Sequence, residues 1–101
     1  MLIVTTNDIP GWEIERVCGE VCGLTVGSRN AIVPPGAGIR SIFGGELAGL
    51  TKNLADSRNQ ATDRLMAEAH NRGANAIVGM RFDTTEIGDG LTEICAYGTA
   101  V

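Results

Sequence analysis

Leu47, Leu50, Leu54, Ala61, Leu65 and Ala69 follow one another at steps of three, four or seven residues, with Asp56, Arg64, Glu68 and Arg72 mostly off their line. This is the period of an α-helix with a single apolar stripe, and it predicts an amphipathic helix of roughly twenty to twenty-five residues. Asn71-Arg72-Gly73 supplies the stop, with Gly73 placed as the left-handed cap. A stripe of this kind must be covered by a second layer, and the flanking sequence supplies β-rich segments for it.

Before the helix, "LIVTT" reads as a short β-branched strand and "NDIPG" as the turn that ends it. Trp12 to Gly27 is dense in Val, Ile and Thr and reads as one long strand or two successive ones. "NAIVPPGAG" is irregular at Pro34 and Pro35, because neither can donate to a ladder; "IRSIF" reads as a short helical turn broken by Gly44-Gly45. After the helix, "ANAIVGMRFDTT" and "LTEICAYGTAV" are two strands joined through "EIGDG", a hairpin signal. The expected fold is α+β: a mainly antiparallel sheet with one long amphipathic helix packed on one face.

At 101 residues the chain is expected to form one domain, residues 1–101, and with 44% hydrophobic residues it can build a core, though a small one that gains from oligomerisation. Eight basic against twelve acidic residues leave a net charge of -4 with no basic run, so nucleic acid is not an expected partner. "MLIV" meets polar "TTND" after four residues, too soon for a membrane span or secretion signal. Three cysteines, an odd number, suit reduced thiols in the cytoplasm better than a closed disulfide framework.

"VCGEVCG" places Cys18 and Cys22 four residues apart. In a strand they share a face but stand roughly 13 Å apart, whereas two sulfurs on one zinc lie within roughly 4 Å of each other. Glycine at every fourth residue and abundant β-branching make a helix a poor alternative. Within one chain the pair therefore reads as packed thiols, unless a turn or bulge at Gly19 bends the chain and partly restores the chelate. Cys18 and Cys22 from neighbouring chains, with His70, form the candidate metal site, and its cofactor would be a soft divalent ion. The alternate face, Val17, Gly19, Val21, Gly23, Thr25 and Gly27, leaves room for a closely packed backbone or helix. Glu20 between the cysteines indicates that their own face is not wholly buried.

Pairing the last hairpin around "IGDG" sets Cys95 opposite Phe82, flanked by Met80 and Tyr97, a core neighbourhood in which it reads as a buried, inert thiol, and a slip of one residue would reverse its face. His70, the only histidine, lies late on the helix just off the stripe, with no nucleophile assigned beside it. Asp83, Glu86, Asp89 and Glu93 cluster at the hairpin tip and read as a solvated edge that discourages strand aggregation. "FGGELAG" lacks the Lys-Ser/Thr ending of a nucleotide loop. No complete catalytic motif is present, and the chain reads as non-enzymatic.

"GG-EL-x-x-L-T-x-x-L" from Gly44 to Leu54, Arg58, "GANAIVGMRFDT", the terminal "GTAV" and "TTNDIPGWEI" near the start together resemble the YbjQ-like family, which carries a heavy-metal-binding label and an unresolved biochemical role. The likeness spans nearly the whole chain. It implies a small α+β subunit that assembles into a ring-shaped homopentamer, and it supplies no ligand set. The chain departs from the family at "VPPGAG" and at Cys18 and Cys22, so these thiols belong to this member or its near relatives. The functional expectation is an oligomeric domain presenting a ligand- or partner-binding surface; the alternative is a soft-metal protein of the zinc or copper kind using cysteines of neighbouring subunits.

Overall fold

A computed structural model describes residues 1–28 and 48–101, with side chains described for residues 1–27 and 52–101. The expected irregular stretch at Pro34-Pro35, the short helical turn at 39–43, the Gly44-Gly45 break and the stripe residue Leu47 lie outside the described residues, as does the Leu50 side chain.

Strands β1 (Leu2–Ile3) and β2 (Gly19–Ser28) precede helix α1 (Ala48–Asn71), and β3 (Ala76–Gly88) and β4 (Leu91–Ala100) follow it. The four strands form one sheet in the order β1-β3-β4-β2. Both long seams, β2 with β4 and β3 with β4, are antiparallel. The third seam is parallel, with Leu2 beside Ala76 and Ile3 beside Ile77, so the sheet is mixed. A two-residue strand leaves too short a pattern for its partner to be chosen from sequence.

The helix ends where the sequence says it should. Gly73 takes φ +78°; its amide donates to the His70 carbonyl at 3.0 Å and the Ala74 amide to the Ala69 carbonyl at 3.0 Å. This pair of bonds satisfies carbonyls that have no partner within the helix. Ala61, Leu65 and Ala69 on the stripe are fully buried, whereas Leu54 remains 44% exposed.

The stripe lies on β2 and β4, and Gly23 sets how closely. A β-carbon there would run into the Ala61 carbonyl and the Leu65 amide, so helix backbone rests directly on strand backbone. Val21, Leu65 and Ile77 are the largest fully buried side chains, joined in the core by Ile94, Ala96 and Ala100. Removing a side chain of the Val, Leu or Ile class from water contributes about 1.5–3 kcal/mol. The expected close-contact face of β2 is therefore an internal one.

The expected long strand over Trp12–Gly27 is shorter: β2 begins at Gly19, and residues 12–18 have no strand assignment. The turn before them is well defined. The Trp12 amide donates to the Ile9 carbonyl at 3.0 Å across Pro10 and Gly11, and Gly11 has φ +85°, the geometry of a type II turn. The chain then passes from β1 on one edge of the sheet to β2 on the other. Trp12 (78% exposed), Ile14 and Val17 stand in solvent on the way.

Asp89 (φ 51°) and Gly90 (φ 77°) close the last hairpin, the double left-handed conformation of a type I′ turn. Two irregularities interrupt its ladder, one between Val78 and Arg81, where Gly79 has φ +61°, and one at Ile87 between Glu86 and Gly88. The turn lies one residue later than pairing around "IGDG" requires, and the bulge at Ile87 takes back one step of register. Cys95 therefore faces Asp83, not Phe82; Phe82 faces Ala96 and Tyr97 faces Arg81.

Candidate functional site on the open sheet face

Alternation along β2 turns Val21, Gly23 and Thr25 toward the helix and Cys22, Leu24 and Val26 away from it. The register carries this outer face across the sheet in three rows: Cys22, Tyr97 and Arg81; Leu24, Cys95 and Asp83; Val26, Glu93 and Thr85. The rows are apolar on the β2 side and polar on the β3 side. Leu24 is 45%, Val26 56% and Tyr97 37% exposed. Among the described residues no element covers this face.

β2 is also an edge strand, paired only with β4 among the described residues. The Arg64 guanidinium, reaching across from α1, donates to the Leu24 carbonyl on it. On the other side of the sheet, Arg81 donates to the Thr5 and Met80 carbonyls, each at 2.8 Å, and ties the turn after β1 to β3. Arg58 of α1 sits 4.9 Å from the Phe82 ring centre and adds a cation–π contact to the helix–sheet seam.

The three cysteines are free. Cys18 and Cys22 do not share the open face. Cys18 precedes Gly19, whose φ of +107° breaks the alternation, and Cys18 packs against the core while Cys22 is exposed. His70 is exposed in the last turn of α1. Cys22 instead lies beside Cys95, diagonally across the β2–β4 seam. The Cys95 thiol is held above the ordinary thiol pKa, first by burial, then by the Cys22 thiol and by the carboxylates of Glu93 and Asp83. The sequence carried one clue to this neighbourhood, the slip of one residue that reverses the face of Cys95.

Among the described residues no three His, Cys, Asp or Glu side chains are grouped closely enough to hold a metal ion. Within one chain Cys18, Cys22 and His70 thus do not make a site, and the donors do not fit a closed tetrahedral zinc centre. Of the hairpin-tip acids, Asp83, Glu86 and Asp89 are exposed and Glu93 half-buried, as suits a solvated edge.

An open hollow of about 800 Å³ lies between the N-terminal segment and the start of β3. Trp12, Glu13, Ile14, Glu15, Arg16 and Asn75 contribute to its walls, and its lining includes no Ser, Thr, Cys, Lys or His. Such a surface can bind a ligand, with Glu13, Glu15 and Arg16 as its charged groups. No described helix is long and apolar enough to cross a membrane.

Among the described residues, one helix laid on a four-stranded mixed sheet, with the opposite sheet face uncovered, defines a small α+β domain. The YbjQ family model, described as "Putative heavy-metal-binding", matches residues 1–101, and the chain belongs to that family. It is 66% identical over 100 residues to a UPF0145 protein of Acidothermus cellulolyticus, covering 99% of this chain and 93% of that protein. It is 58% identical over 101 residues to the UPF0145 protein SCO3412 of Streptomyces coelicolor, covering 100% of this chain and 95% of that one. A crystal structure of a protein of unknown function from Pediococcus pentosaceus, assigned to the DUF74 family, has the same fold: TM-score 0.61 at 15% identity, over 99% of this chain and 94% of that one.

Proposed function

We propose that this protein is a non-enzymatic subunit that assembles with copies of itself into a ring of five and presents a ligand- or partner-binding surface on the assembly, in the cytoplasm. The observation that carries the assembly is the open sheet face. Leu24, Val26 and Tyr97 form an apolar strip beside an edge of β2 that has no partner among the described residues, and the described helix covers the other side of the sheet. Apolar surface of this kind gains free energy when it is removed from water, and a second copy offers the same strip. The ring and its number rest on the family resemblance. The hollow beside Trp12 and Arg16 is a concave surface on which a ligand can sit.

Light scattering on the purified chain tests the reading. The expected mass is that of five chains, and replacing Leu24 and Val26 by aspartate lowers it toward one chain while the circular dichroism stays folded. A wild-type mass equal to a single chain would overturn the assembly.

A further inference from the structure

We propose that Cys22 and Cys95 of a single subunit form a two-thiolate site for a monovalent thiophilic cation of the copper(I) class. The geometry follows from the register. Cys22 stands opposite Tyr97 and Cys95 opposite Leu24, so the two thiols leave the same face as diagonal neighbours on adjacent strands. Diagonal partners in an antiparallel pair are about 7–8 Å apart at Cα, with the β-carbons closer. A disulfide needs Cα atoms no more than about 6.8 Å apart. Two sulfurs sharing one ion at about 2.3 Å each stand up to about 4.6 Å apart. The spacing therefore suits an ion between the thiols better than a bond between them.

The surroundings select the class of ion. Thiolates prefer soft cations, and Leu24 and Tyr97 beside the pair supply apolar walls. Among the described residues no third His, Cys, Asp or Glu completes the group, so a zinc ion seeking four donors is poorly served. Two thiolates around one monovalent ion carry a net charge of about -1, small enough to sit on a half-covered face without a counter-ion inside it. On binding, two S–H bonds break, two copper–sulfur bonds form and two protons pass to solvent. Copper remains in its +1 state, so no electron donor or acceptor is needed. One chain supplies both ligands, and the site does not depend on the proposed ring.

The test uses the reduced full chain without oxygen, with copper(I) delivered as its coloured bicinchoninate complex. The expected result is one copper per chain, a thiolate-to-copper absorption in the ultraviolet, and an affinity reduced about a hundredfold or more in Cys22→Ser and in Cys95→Ser, above the cost of losing a group that only supports a ligand. Cys18→Ser keeps the wild-type affinity. A measurement free of variants accompanies it: copper(I) protects Cys22 and Cys95 of the wild type, but not Cys18, from iodoacetamide, as read by peptide mass spectrometry. Copper shared between two chains, equal loss in Cys18→Ser, undiminished binding in the Cys22→Ser/Cys95→Ser variant, or zinc held as tightly would each overturn the site. Light scattering on the same samples reads the assembly separately, so failure of one proposal is distinguishable from failure of the other.

Discussion

Single atoms at Gly23 and Cys95 decide how the sheet is used on its two faces. Gly23 is the point where α1 touches β2, and the atoms that a new side chain would meet belong to helix backbone, which cannot swing aside. Gly23→Ala is therefore expected to destabilise the fold by about 3 kcal/mol, the upper end for overpacking. In a domain of this size that is a fall in melting temperature of roughly 12 °C or more, measured by thermal denaturation with Gly27→Ala as the control. At Gly27 the nearest atom to an added β-carbon is the Ser57 hydroxyl oxygen at 3.5 Å, an ordinary contact. The glycines on this face were legible because their alternation with Cys22 and Leu24 requires only the period of a strand. On the other face, the raised Cys95 pKa gives an alkaline signature. Below the ordinary thiol pKa of 9.0 both folded and unfolded chains hold this proton, and the contribution to stability is complete. Above it the unfolded chain ionises first, so stability falls from about that pH until the folded thiol has ionised too. The expected outcome is a denaturation midpoint that declines above pH 9 in the wild type and declines less in Cys95→Ser; identical profiles would remove the shift.

Local chemistry settled most of the secondary elements, and long-range pairing settled the rest. The helix and its cap rest on residues within a few positions of one another and stand where the sequence puts them, whereas the Asp89-Gly90 turn falls within the expected "EIGDG" loop but one residue later than pairing around "IGDG" requires. The pairing of β1 with β3, the start of β2 at Gly19 and the neighbour of Cys95 each depend on something local periodicity does not carry. These are a parallel seam, a residue at φ +107° and a bulge at Ile87. The candidate site suffered most, since its two thiols are 73 positions apart in sequence and meet only in the correct register. The cap offers a direct test at this scale. Gly73 is held at φ +78°, a conformation that costs an ordinary L-residue about 1–2 kcal/mol. Gly73→Ala is expected to lower stability by about that amount in a urea titration with an unchanged m-value, because the compactness of the end states is untouched. Gly73→Asn should recover part of the loss, asparagine being the residue after glycine that best tolerates the left-handed region.

At the scale of the whole molecule, the described residues are elongated: the radius of gyration is 16.7 Å and the extents are 53 × 25 × 17 Å, against a radius of about 13 Å for a compact chain of 100 residues. Helix α1 covers one sheet face, while Leu24, Val26 and Tyr97 on the other and Trp12, Ile14 and Val17 on the N-terminal segment stand in water. If copies of the chain cover that surface in the native assembly, folding and association are one equilibrium, and mass action makes the melting temperature rise with protein concentration. A self-contained monomer has no such dependence. Scanning calorimetry across a hundredfold range of chain concentration is expected to show a steady upward shift for the wild type. The same scan on Leu24→Asp/Val26→Asp, whose charges would have to be buried unpaired in the contact, should give a lower melting temperature that no longer moves with concentration. A wild-type melting temperature constant over the whole range would mean that the apolar strip remains in water in the native state, and association could then contribute nothing to the stability of the fold.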